Sequence, residues 1–192
     1  MEFNQKIITA GVYVNVAGFF LFQVGPSKSG KTLGIARLGG HREGNETGWA
    51  CAAREAYEEA SLHVIPLTPP ATYWATGSSE LQIGEWSLIA SDDVAPILVT
   101  RRNEEYITPI YLCYSYDEPR PCSEAKALLL LRPHEIHQIA TETMTLGDYL
   151  KRGGKMLFRE DLPKHFLLEP LGHLQLLDKL IQLHPEITQN IA

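Results

Sequence analysis

Between Gly40 and Leu62 the chain reads GHREGNETGWACAAREAYEEASL, and its acidic side chains stand at offsets that suit a divalent cation. Glu46 comes first, followed by Arg54, Glu55, Glu58 and Glu59. From Thr47 to Ala60 the sequence predicts a helix: it is rich in Ala and Glu, free of proline, and opens on a threonine suited to an N-cap. Trp49, Ala53, Ala56 and Ala60 form an apolar stripe for burial. Residues three and four apart are neighbours on a helix, so Glu55, Glu58 and Glu59 share another face. Like charges at that spacing cost a bare helix about 0.2–0.5 kcal/mol per pair. A hard cation reverses the sign. Mg²⁺ or Mn²⁺ takes oxygen ligands and completes its octahedron with water and substrate phosphates. Solvated helix faces usually mix charges, whereas Arg54 is the lone cation between Thr47 and Ser61. From within the same turn it can brace the cluster.

The segment resembles the Nudix box, the signature G-x5-E-x7-R-E-U-x-E-E-x-G-U of Nudix hydrolases, with U an aliphatic residue. Gly40, Glu46, Arg54, Glu55, Glu58, Glu59 and Leu62 match in register. Ser61 stands where the pattern has its late glycine, and Ala56 is a small choice at the first aliphatic position. Many relatives place a proline before the Gly-Gly turn, where this chain has Leu38. The resemblance implies Mg²⁺-dependent hydrolysis of the pyrophosphate in a nucleoside diphosphate linked to another group, X, with Mn²⁺ as a substitute. It implies Glu58 and Glu59 as main metal ligands, Glu55 as a further ligand or the base, and the Gly40 carbonyl as part of the shell. Glu46 and Arg54 would organise the loop-helix-loop. Relatives add a carboxylate from a later loop, for which Glu124 is the candidate and Glu118 the reserve. The implied fold is α/β, an α/β/α sandwich with a mixed β-sheet. The likeness extends loosely to about Ala140. Residues 1–140 are therefore expected to form the hydrolase domain, with 141–192 a helical extension on it.

The substrate is less legible. The proline that marks many ADP-ribose enzymes has no counterpart at Gly77 or Ser78, and neither the NADH-type nor the coenzyme A-type signature is present. Tyr73, Trp74 and Trp86 are candidates to stack on a base, although aromatic residues in strands more often fill a core. A ligand sensor of the same fold without catalysis is the second functional class. Such proteins tend to have eroded boxes, and this one keeps its carboxylates.

The elements that must position these groups fit a single domain. The chain has 192 residues, 44% hydrophobic and 21% charged, an ordinary globular balance. With Lys+Arg 17 against Asp+Glu 23, the net charge of −6 argues against stable nucleic-acid binding and leaves a small nucleotide-type substrate compatible. Cys51, Cys113 and Cys122 lack C-x-x-C spacing, which argues for a reducing cytoplasm and against zinc. The apolar run Ile7 to Val24 reads as two strands rather than a membrane span, since Thr9, Gly11, Asn15, Gly18 and Gln23 interrupt it. Strands are predicted over 6–16, 19–24, 33–38, 62–66, 71–75, 81–89, 95–100, 107–116 and 126–131. Helices are predicted over 133–141, 145–152 and 170–184, the last with Pro170 in its first turn. Strands on both sides of one helix, with helices late, make a mixed α/β sandwich.

Further patterns compete for attention. Gly25 to Thr32, GPSKSGKT, fits the phosphate-loop pattern G-x-x-x-x-G-K-S/T. That motif needs a helix opening straight after the lysine, and the stretch before Gly40 reads as a short strand. A hairpin loop is expected, with Lys28 and Lys31 able to reach a phosphate. His134-Glu135-Ile136-His137 has its histidines at i and i+3, whereas zinc proteases use i and i+4, so exposed helix residues are expected. Leu171, Leu174, Leu177 and Ile181, with Leu180 beside them, form a stripe expected to pack on the sheet, with a homodimer contact as the alternative.

Overall fold

A computed structural model of the chain describes residues 6–76, 80–86, 94–122 and 125–189. A mixed sheet runs through it, with helices on both faces. In chain order the strands are β1 (Lys6–Ile7), β2 (Thr9–Val16), β3 (Phe19–Pro26), β4 (Thr32–His41), β5 (Ile65–Pro66), β6 (Tyr73–Thr76), β7 (Glu80–Ile83), β8 (Leu98–Arg101), β9 (Tyr106–Tyr114), β10 (Ala127–Leu131), β11 (Lys155–Phe158) and β12 (Leu167–Pro170). The helices are α1 (Gly48–Ala60), α2 (Pro133–Thr141), α3 (Leu146–Lys151) and α4 (Gly172–Leu183). The strands lie in the order β11-β10-β3-β4-β2-β9-β8-β6-β7. β2 runs parallel to β9 and antiparallel to β4, which is what makes the sheet mixed.

Side-chain alternation divides the core in two. On β2, Ala10, Val12 and Val14 face α1, while Tyr13 faces the other side; on β3, Leu21 faces α1 while Phe20 and Phe22 face away. On β9, Tyr111 and Cys113 join the α1 side, and Ile110 and Leu112 the opposite one. Strands covered on both faces need apolar residues at nearly every position. That is why Ile7 to Val24 resembles a membrane segment in composition. No helix among the described residues is long and apolar enough to cross a membrane.

The α1 layer is thin, because Cys51, Ala52, Ala56 and Ala60 bring the helix close to Leu21 and Leu38. The expected stripe is therefore rotated: Trp49 and Ala53 are only half-buried, and Glu59 joins the buried side. Leu38 is fully buried and pairs with Val12 across the β2–β4 ladder. Removing so buried a leucine typically costs about 2–5 kcal/mol.

The opposite layer holds α2, α3 and α4, with Ile136, Ile139, Leu146, Tyr149, Leu174, Leu177 and Leu180 in one cluster with the strands. The segment expected as a helical extension, 141–192, also supplies β11, which pairs with β10, and β12, which runs parallel to β4. Pro170 ends β12 instead of opening α4, and Leu171 before the helix is exposed. Leu174, Leu177 and Leu180 are buried as the stripe requires, joined by Leu176. His134 and His137 are exposed, but Glu135 is buried and accepts the Arg132 N–H at 2.7 Å, closing the start of α2.

Candidate active site

The loop from Arg42 to Thr47 joins β4 to α1, and its anchors are local. Thr47 Oγ1 accepts the Ala50 N–H at 3.1 Å, an N-cap worth about 1 kcal/mol. At the far end Ser61 sits in the left-handed region (φ 56°, ψ 35°), with its N–H donating to the Tyr57 carbonyl at 2.8 Å. The Ser61 hydroxyl lies 3.1 Å from Cys122 Sγ. A left-handed residue with a Cβ costs about 1–2 kcal/mol.

Arg54 organises the carboxylates. Its Nε donates to Glu46 at 2.8 Å, Nη1 to Glu55 and to Glu58 at 3.0 Å each, and Nη2 to the His41 carbonyl at 2.9 Å. One planar guanidinium thus ties the loop to two turns of the helix. Arg54 and the Glu43 N–H hold the Glu46 carboxyl below its usual range, and Glu46 in turn raises the Arg54 pKa. Gly40 permits this closeness, since a Cβ there would stand 2.4 Å from a Glu55 oxygen.

Glu59 is different. It is 7% exposed, accepts the Gly39 N–H at 2.8 Å and the Gln23 amide at 2.7 Å, and forms no salt bridge among the described residues. Burial pushes its carboxyl up to about 7, with Glu55 adding to the effect and the Gly39 N–H and Arg37 opposing it. The last turn of α1 carries Glu58 and Glu59 and no basic residue. Negative charge at a helix C-terminus opposes the macrodipole, at about 0.3–1 kcal/mol per charge. Helix stability is not what placed these acids there.

Glu55, Glu58, Glu59, Arg54 and Gly40 line one cleft of about 500 Å³, with Thr9, Gln23, Arg37, Gly39, His41 and Glu43. Glu46 stands behind it, on Arg54. Among the described residues, no three acidic, histidine or cysteine side chains converge closely enough to hold a metal ion as they stand. The reason lies in the partners, because Arg54 engages Glu55 and Glu58 while Glu59 turns to Gly39 and Gln23. The donor set is nonetheless hard oxygen throughout, as Mg²⁺ and Mn²⁺ prefer. Glu124 lies outside the described residues. Glu118 is exposed beside Arg120 and is not part of the cleft lining.

Other expectations fare unevenly. Gly25 to Thr32 is a hairpin loop between β3 and β4, turned at Gly30 (φ 66°), and runs directly into a strand. Lys28 and Lys31 are exposed on it. Tyr73 and Trp86 are buried in core clusters and Trp74 stacks with Arg101, so none of the three lines the carboxylate cleft. Cys51 is buried and its thiol is pushed up to about 11, first by burial and then by Glu46, which removes it as a nucleophile. The one-dimensional motif did not reveal Gln23 or Arg37. A signal for Arg37 existed in the alternation of β4, where it follows Leu33 and Ile35 on an otherwise apolar face.

Comparison with known proteins gives distant likenesses. The fold is similar to a hydrolase of the NUDIX family from Clostridium perfringens, at 22% identity over 70% of this chain and 85% of that one, TM-score 0.47. An Ap4A hydrolase from C. elegans aligns at 16% identity over 76% of this chain and 89% of that one, TM-score 0.44. An ADP-ribose pyrophosphatase from Streptococcus suis aligns at 15% identity over 67% of this chain and 75% of that one, TM-score 0.41. No protein-family model matches the chain, and no curated protein matches it. Likenesses this distant assign neither reaction nor substrate.

Proposed function

We propose that this protein is a Mg²⁺-dependent pyrophosphohydrolase that cleaves the phosphoric anhydride of a nucleoside diphosphate linked to another group, X. The observation that carries the reading is the gathering of Glu55, Glu58 and Glu59 with Gly40 in one cleft, with Glu58 and Glu59 in the last turn of a helix, where negative charge opposes the macrodipole. The Nudix-like spacing supports the same reading. In it, Glu58, Glu59 and the Gly40 carbonyl hold the ion, and Glu55 is a further ligand or takes a proton from the attacking water. A bound Mg²⁺ supplies charge neutralisation at phosphate oxygens and a more acidic water. Arg54 keeps Glu46 and Glu55 oriented, and Gln23 and the Gly39 N–H fix Glu59.

A second reading, a nucleotide sensor of the same fold without catalysis, draws support from Arg54. It occupies Glu55 and Glu58, and an ion must displace it or share them. The test is release of phosphorylated products from a panel of pyrophosphate compounds. Turnover is expected with Mg²⁺ or Mn²⁺, abolished by EDTA and restored by Mg²⁺. Saturable nucleotide binding without product would select the sensor. Activity in a verified metal-free preparation would sink the hydrolase reading.

A further inference from the structure

Arg37 is the part of the cleft that the carboxylate chemistry does not use. It is 8% exposed, and Nη1 donates to the Ala10 and Leu38 carbonyls at 3.1 Å each. Its Nε is buried without a hydrogen-bond partner among the described residues. Arg54, by contrast, is bound to Glu46, Glu55 and Glu58, whereas Arg37 forms no salt bridge among the described residues. A buried guanidinium satisfied only by neutral carbonyls carries an uncompensated desolvation cost. The chain is built to admit it all the same. A Cβ at Gly11 or at Gly39 would stand 2.0 Å from Nη1, so neighbouring positions on β2 and β4 carry no side chain where Arg37 lies between them. Gly39 has φ 140°, and its N–H also fixes Glu59.

The surroundings offer Arg37 little compensation. Tyr13 is buried and its phenol is pushed further up by burial, so it stays neutral. Half-buried His173 is pushed down to about 3 by burial and by Arg37, so it too is uncharged at neutral pH. Glu59 and Glu55 are near enough to feel the guanidinium without touching it. Once those carboxylates are committed to a cation, Arg37 becomes an unmatched positive charge on the same cleft. A phosphoryl group complements that arrangement, because a guanidinium fork matches its oxygens.

We propose that Arg37 is a specificity-determining residue that takes a non-bridging phosphoryl oxygen of the substrate from the β2–β4 side of the cleft. This rests on the pyrophosphohydrolase reading for the identity of the ligand. The cleft then selects compounds whose phosphates span from the carboxylates of α1 to Arg37.

The test titrates inorganic pyrophosphate calorimetrically into the full chain and into Arg37→Met and Arg37→Gln, in Mg²⁺ and in EDTA, with Mn²⁺ alone titrated alongside. Glutamine keeps a donor for the carbonyls without the charge, and decides the matter if the methionine variant fails to fold. The expected loss in pyrophosphate affinity is roughly 10- to 100-fold, the range of a charge-assisted hydrogen bond. Mn²⁺ affinity should be unchanged or tighter, because a nearby cation has gone, and the melting temperature should not fall. Parental pyrophosphate affinity in a folded variant overturns the proposal. So does a fall in melting temperature with no change in affinity, which makes Arg37 a pillar of the fold. Pyrophosphate binding in EDTA that disappears in Arg37→Gln, without Mn²⁺ binding by the parent, upholds Arg37 and sinks the metal reading. A parent that binds neither probe overturns both.

Discussion

At one end of β4 the chain reads Gly25 to Thr32, a full match to a phosphate-loop pattern; at the other it reads Gly39-Gly40 and runs on to the carboxylates of α1. Both ends are glycine-rich, and each satisfies a pattern associated with phosphate chemistry. The first is an exposed hairpin that is followed by a strand and not by a helix, and whose backbone closes on itself through Ser27 N–H to Thr32 O at 2.9 Å. The second is followed by a helix that opens at a capping threonine and delivers its acids to one cleft. A pattern acquires chemistry from the element that follows it. The glycines differ accordingly: a Cβ at Gly30 would meet open space, and at Gly40 it would strike Glu55.

Substitutions at the two ends should differ most where the carboxylates are touched. Glu59→Gln should lower Mg²⁺-dependent turnover by roughly two to four decades, the scale of a lost metal ligand. Circular dichroism should show the variant folded. Near-parental turnover would dissolve the contrast.

A pH titration sharpens it. A proton must leave Glu59 before it can ligate, and its carboxyl is pushed up to about 7. Mn²⁺ affinity should therefore rise through neutral pH, by roughly tenfold from pH 6 to pH 8, and then level off. A flat profile would exclude Glu59 from the shell.

Smaller effects are expected where α1 ends and where β4 begins. Ser61→Gly relieves a left-handed serine at the expense of its contact with Cys122, and should be neutral or raise the melting temperature by about 2–4 °C. A lower melting temperature would show that the Cys122 contact outweighs the strain. Lys31→Ala, on the exposed loop, should change turnover within roughly fivefold, as screened surface charges do. A loss rivalling that of Glu59→Gln would restore the hairpin as a phosphate site.

What the sequence made legible follows from how local each determinant is. The motif helix with its N-cap is written in contiguous residues, and its expected bounds, 47–60, match α1; the strand before it runs past the expected 33–38 to His41, and the strand after it shrinks from 62–66 to Ile65–Pro66. The apolar stripe of α1 is displaced toward Glu59, which is held by an amide on β3 and a backbone N–H on β4 that the helix sequence does not contain. Gln23 and Arg37 reach the cleft from β3 and β4, beyond the reach of a linear motif. β12 is four residues long, ends in proline, and takes its meaning from a partner far earlier in the chain. Nothing local announces such a strand.

That distant pairing sets a timetable. On one side of β4, β2 covers Leu38 to His41 and then diverges, and β12 takes over along Thr32 to Ile35. During synthesis from the N-terminus, the first half of β4 emerges long before Leu167 does. Until then it presents free amides and carbonyls along an apolar strand, a template for another chain. The strand that leads into the carboxylate cleft is thus a site of aggregation hazard in every nascent copy, and the late arrival of four residues is what retires it.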